Sequence, residues 1–209
     1  NEEDNLAALA AEIRAALDPT GLNYEVLFID DGSRDSSFAC LQDLAAADSH
    51  IVAIRFRRNY GQTAAFAAGF DHARGAVIVT LDADRQNDPA DIPALLAKLN
   101  EGYDVVNGWR HNRQDNLVRR LPSRVANWLI AETSGVHLKD RGCSLRAFRH
   151  EVVDDLNLYG ELHRFIPELV NFSGFSMAEV PVNHRARVAG QSKYGLSRTF
   201  RVILDLFTI

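Results

Sequence analysis

The stretch "AVIVTLDADRQNDPADIP", residues 76–93, runs from an apolar segment directly into a series of acids. A short run of β-branched and apolar residues bounded by polar ones reads as a buried strand. The Asp82-x-Asp84 spacing puts both carboxylates on one side if extended geometry persists past the strand. Two carboxylates that close repel each other unless a cation lies between them. Hard oxygen donors with open positions suit Mg²⁺ or Mn²⁺, which also takes water and phosphate oxygens. Gln86 continues the alternate-residue series with an amide oxygen. Capping of the helix that starts near Pro89 is assigned to Asn87 or Asp88, and metal binding to Asp82 and Asp84.

The same rhythm extends on both sides. Leu6, Leu9, Ile13 and Leu17 form one helical stripe, and residues 25–30 form a short strand. Phe38, Leu41 and Leu44 mark a second helix, residues 51–56 a second strand, and the Ala-rich segment after Gly61 a third helix. Beyond the strand at 76–81, Ile92, Leu95, Leu96 and Leu99 line a helix and residues 103–109 form a fourth strand. Strands alternating with helices about every 25 residues predict βαβ units and a mostly parallel sheet covered on both faces. After residue 110 the pattern changes: a helix closed by Gly135, a short strand in "GCSLRAF", helices over roughly 150–172, and a strand at 175–184. Pro181 assigns that last strand to an edge.

Ligands of such sheets bind beyond the carboxyl ends of the strands. Two acidic turns occupy that position, Asp82 with Asp84 and, in "IDDGSRD", Asp30 with Asp31. Gly32 permits a tight turn and Ser33 or Asp35 caps the next helix, but turn chemistry alone does not call for two adjacent carboxylates. A ribose hydroxyl or a base amide would suit them. No glycine-rich phosphate loop is present in the sequence, so phosphate binding would fall to a metal and to basic side chains.

Net charge is −5, made of −10 over residues 1–106 and +5 over 107–209. Arg110, Arg113, Arg119, Arg120 and Arg124 meet only Asp115, and no acid occurs from Val180 to Leu204. Arginine's planar fork binds phosphate through paired hydrogen bonds. The acidic total and the lack of a nucleic-acid signature argue against a nucleic-acid partner. Cys40 and Cys143 are too few for a disulfide framework and have no metal-ligand spacing. His163 and Arg164 are weaker pocket candidates, since a lone histidine more often completes a hydrogen-bond network.

Taken together, "IDDGSRDSS", "FRRNYGQTAAFAAGFDHARG", "VTLDADRQNDP", "EGYDVVNGWR", "RRLPSRVANWLI", "DRGCSLRAFRHEV" and "VAGQSKYG" resemble family 2 glycosyltransferases of the GT-A fold. Within that family the chain is similar to the polyprenyl-phosphate branch, the dolichyl-phosphate mannose synthases and undecaprenyl-phosphate sugar transferases. The resemblance implies a Rossmann-like α/β catalytic domain over residues 1–195, whose opening strand is missing from the chain, and a juxtamembrane helix beginning at 196–209. It implies a nucleotide-sugar donor, a polyprenyl-phosphate acceptor, one Mg²⁺ or Mn²⁺, and inversion at the sugar carbon. By this resemblance Asp84, Gln86 and Asp82 hold the metal, and Glu2, Asp30 and Asp31 the nucleoside. Arg187, Ser192 and Lys193 cover the donor diphosphate, and Arg110, Arg119, Arg120 and Ser123 take the lipid phosphate. Arg85 departs from the pattern, standing where these sequences usually carry an apolar residue.

A lipid acceptor implies a membrane surface as partner. The expected location is the cytoplasmic face of a membrane, peripheral or anchored by a C-terminal tail, with self-association left open. Helix 121–134 is expected either to lie in the membrane interface or to face the core. The rival readings are a GT-A transferase acting on a hydroxyl, a nucleotide-sugar-binding module without catalysis, and a structural α/β domain. Intact Asp82, Asp84 and Gln86 favour catalysis.

Overall fold

The computed structural model describes residues 1–111, 136 and 138–186. Helix α1 (Glu3–Leu17) buries Leu6, Leu9, Ala10, Ile13 and Leu17, the stripe expected from its spacing. Strand β1 (Val26–Asp30), helix α2 (Ser37–Ala47), strand β2 (Ile51–Arg55), helix α3 (Gln62–His72) and strand β3 (Val77–Thr80) follow. Asp88 accepts the Ala90 amide at 3.0 Å and so caps the 3₁₀ turn Pro89–Asp91 that leads into α4 (Ile92–Leu99). Strand β4 (Val105–Arg110), strand β5 (Arg146–Arg149), helices α5 (His150–Asp154) and α6 (Ile166–Phe172), and strand β6 (Met177–Val182) complete the described α-helices and strands.

β1 and β2 pair in parallel, from Val26 opposite Ile51 to Asp30 opposite Arg55. A four-stranded sheet has the order β3-β5-β4-β6. β6 runs parallel to β4 and stands at the edge, where Pro181 is tolerated as expected. β3 and β4 are not neighbours, because β5 enters between them antiparallel to both. Its direction places Arg146 opposite Thr80, at the carboxyl end of β3. Alternate side chains point to opposite faces of a strand. Accordingly Val106 and Ala147 join one core with α1, α4 and β1, while Val105 and Phe148 join another with α5 and α6. The sheet is therefore covered on both faces. Each fully buried valine or leucine contributes about 1.5–3 kcal/mol by leaving water.

Candidate active site

Acids stand at or just beyond the carboxyl ends of β1 and β3, and Arg110 at that of β4. Asp30, the last residue of β1, is buried. Its Oδ1 accepts the Ser33 amide at 3.1 Å, and Arg55 Nε lies 3.6 Å from Oδ2. Among the described residues no donor completes a hydrogen bond to that Oδ2. A buried carboxylate oxygen without a donor is costly, so a ligand hydroxyl or amide fits there. Asp31 is used differently: its carboxylate accepts the amides of Tyr60 at 2.6 Å and Gly61 at 2.9 Å, and Asn59 Nδ2 at 2.7 Å. It pins the loop that enters α3. Gly32 has φ 69°, and a Cβ there would lie 2.6 Å from the Arg58 carbonyl carbon. Asp35 accepts the Ser37 amide at 3.1 Å as α2 begins.

The chain's first residues lie over this turn. The Asn1 amino group donates to Ser33 Oγ at 3.1 Å and the Glu2 amide to Ser37 Oγ at 2.8 Å. The Glu2 carboxylate accepts Asn5 Nδ2 at 2.6 Å. The topology thus lays the backbone of residues 1 and 2 against the turn that follows Asp30 and Asp31.

At the end of β3, Asp82 Oδ1 accepts Gln62 Nε2 at 2.9 Å. Burial pushes the Asp82 carboxyl above the usual range and the Asp84 charge adds to this, while Ser144, Arg110 and Arg146 oppose it. Asp84 is buried, and its Oδ1 accepts the Gln86 amide at 3.1 Å. Between them Arg85 takes φ 59°, the one non-glycine with positive φ among the described residues. Among those residues no three His, Cys, Asp or Glu side chains converge as a metal set. Two carboxylates and an amide would leave a hard divalent ion to complete its shell with water and phosphate oxygens, as Mg²⁺ commonly does. The donor set fits that chemistry.

Arg110 ends β4 and is clasped by Asp140, Nε to Oδ2 at 2.6 Å and Nη2 to Oδ1 at 2.8 Å. Arg146 is buried in the sheet, and Nη2 donates to the Arg141 carbonyl at 2.7 Å. Burial lowers its pKa, opposed by the charges of Cys143, Asp140 and Asp82. Ser144 Oγ donates to Asn87 Oδ1 at 2.8 Å, tying the start of β5 to the acidic loop. Of the two cap candidates, Asn87 is therefore a buried tie and Asp88 is the cap. His163 Nδ1 lies 2.6 Å from Thr63 Oγ1, the network role expected of a lone histidine.

Arg119, Arg120, Ser123, Arg187, Ser192, Lys193 and helix 121–134 lie outside the described residues. Sequence reasoning missed Gln62, Asp140, Ser144 and Arg146. An arginine inside the apolar segment "SLRAF" was the available signal, since a charge in a buried strand requires partners.

The family model Glycosyl transferase family 2 matches residues 1–156. An undecaprenyl-phosphate 4-deoxy-4-formamido-L-arabinose transferase of Shewanella sediminis is 46% identical over 209 residues, covering 100% of this chain and 63% of its own. The protein of that name from Klebsiella pneumoniae is also 46% identical, with 64% of its length covered. The chain thus spans a little under two thirds of these relatives. Mannosyl-3-phosphoglycerate synthase from Rubrobacter xylanophilus superposes with TM-score 0.77 at 18% identity, covering 100% of this chain and 70% of that one. Glucosyl-3-phosphoglycerate synthase from Mycobacterium tuberculosis, in complex with Mn²⁺ and UDP-glucose, gives TM-score 0.73 at 20% identity, covering 100% and 75%.

Proposed function

The chain belongs to glycosyltransferase family 2, and from that premise we propose that it moves a sugar from a nucleotide-sugar donor to a polyprenyl phosphate with inversion. The names of the relatives at 46% identity support undecaprenyl phosphate as acceptor and 4-deoxy-4-formamido-L-arabinose as the sugar. The observation that supports the reading is the placement of Asp82 and buried Asp84 just beyond β3, with Gln62 bonded to Asp82, and of Arg110 at the end of β4 in the grip of Asp140.

Asp84, Gln86 and Asp82 would hold Mg²⁺ or Mn²⁺, and the Mn²⁺ in a neighbour's complex supports a divalent ion. When bound, such an ion neutralises charge developing on the leaving diphosphate. Asp30, with its undonated buried oxygen, takes the nucleoside together with Glu2, while Asp31 holds the adjoining loop. Arg187, Ser192 and Lys193 take the donor diphosphate, and Arg110, Arg119, Arg120 and Ser123 the acceptor phosphate. The second pKa of a phosphate monoester is about 6, so the acceptor is mostly dianionic at neutral pH. Its oxygen attacks the anomeric carbon as the bond from that carbon to the diphosphate oxygen breaks. The nucleoside diphosphate departs with the bonding pair, and no general base is required. The residues therefore align two anions and offset their charge.

Residues 1–195 are the catalytic unit on this reading, and residues 196–209, the expected start of a juxtamembrane helix, lie outside the described residues. Among the described residues no helix is long and apolar enough to cross a bilayer, and the proposed attachment is to a cytoplasmic membrane face. The test is transfer of radiolabelled sugar by the full-length protein, with UDP- or GDP-linked donors and with undecaprenyl phosphate against soluble sugars. Metal-dependent, chelator-sensitive labelling of the lipid is expected. Labelling of hydroxyl acceptors alone overturns the proposal.

A further inference from the structure

Arg85, the residue that departs from the family resemblance, sits between two of the proposed metal-binding positions in a left-handed conformation, φ 59°. For a side-chain-bearing residue that conformation costs about 1–2 kcal/mol, so it persists only where neighbours hold it. The neighbour is Glu12 on α1, whose carboxylate forms an ion pair with the Arg85 guanidinium. Glu12 also binds Arg185, Oε2 to Nη1 at 2.8 Å, and the second branch of Arg185 reaches Asp88 Oδ1 at 2.7 Å. The Arg185 amide donates to the Gln86 carbonyl at 2.9 Å, and His184 bridges Asn87. Arg85, Gln86, Asn87 and Asp88 are thus all held from residues 12 and 184–185.

The three polar side chains concerned are mostly shielded: Arg85 is 21%, Glu12 25% and Arg185 35% exposed. Burial raises the Glu12 pKa, but the two guanidiniums outweigh it and hold the carboxyl below its ordinary range. Shielded charge-assisted pairs of this kind are stronger than surface ones, and two arginines on one carboxylate fix its direction. The loop could have turned with a glycine at position 85, which would carry no strain. An arginine there gives the turn a direction, because its side chain is tied to a helix on the far side of the loop.

We propose that Glu12 is a positioning residue for the metal loop, acting through Arg85 and Arg185 to set Asp84 and Gln86 at the spacing a divalent ion requires. This inference rests on the metal reading above. Glu12 makes no contact with the reaction; it fixes the backbone that carries the ligands. Partners that orient metal ligands change metal affinity about 10–100-fold when removed.

The test measures Mn²⁺ affinity by electron paramagnetic resonance, alone and with UDP, together with the thermal midpoint. Wild type is compared with Glu12→Gln, Arg85→Met, the double variant and Asp84→Ala. Each single variant is expected to weaken Mn²⁺ about 10-fold, at the low end for such partners, with a midpoint shift below ~3 °C. The double variant should be no worse than Glu12→Gln alone, since that change already removes the ion pair Arg85 makes. Unchanged Mn²⁺ affinity in Glu12→Gln, or a loss that merely follows a falling midpoint, overturns the inference while the metal reading stands. Wild type that binds Mn²⁺ no better than Asp84→Ala overturns both.

Discussion

Asp140 grips Arg110 with both carboxylate oxygens, at 2.6 and 2.8 Å, and also accepts the Arg110 amide at 3.2 Å. The pair is nearly enclosed, with 14% of the Arg110 side chain and 5% of the Asp140 side chain exposed. A planar guanidinium held this way presents a fixed edge, which is what recognition of a phosphate needs. Asp140→Ala should lower stability by up to about 3–5 kcal/mol, because it removes the bidentate partner of an enclosed cation. Adding Arg110→Gln should recover part of that stability in chemical denaturation while transfer to the lipid stays lost. Recovery of both would remove Arg110 from the acceptor site.

Asp84→Ala should abolish sugar transfer and Mn²⁺ binding while leaving the fold intact, since Asp84 stands in a loop beyond β3. Loss of one hard ligand from a set of three leaves too little charge to compete with water for the ion. Transfer assays with and without chelator check this, and chelator-insensitive turnover by the variant would contradict it.

Gly32→Ala combines two penalties. Its φ of 69° costs about 1–2 kcal/mol for any residue with a Cβ, and the new methyl would sit 2.6 Å from backbone that cannot swing away. The expected result is a lower urea midpoint together with weaker nucleotide binding, because the displaced backbone at Arg58 and Asn59 leads into the loop that Asp31 holds.

Cys143 is buried and Cys40 partly exposed. Burial, aided by the Asp140 charge, pushes the Cys143 thiol above its ordinary pKa. The thiolate is the reactive form, so raising the pKa suppresses reaction across the neutral and mildly alkaline range. Titration of the native protein with a disulfide reagent at pH 8 should modify Cys40 first, and Cys143 only after denaturant is added.

Legibility from sequence followed the range of the interactions. Helix α1 and strands β1 to β4 were readable, and the cap was narrowed to Asn87 or Asp88, because 3.6- and 2-residue periodicities and capping are local. The position of β6 at an edge followed from Pro181 alone, which cannot donate in the ladder. Asp31 was harder: its role in holding Tyr60 and Gly61 depends on a loop about thirty residues away, and nothing in "IDDG" separates it from Asp30.

The sequence by itself determined where the acids lie, because a strand ending in Asp-x-Asp carries its carboxylates to the sheet's carboxyl edge whatever the rest of the chain does. Only the tertiary structure decided what surrounds them. β5 runs antiparallel between β3 and β4, so Ser144 and Arg146 arrive beside Asp82, while Glu12 reaches Arg85 from α1. These contacts join residues about 60 to 75 positions apart, and strand order and direction are settled by packing of the whole core, which local periodicity does not encode.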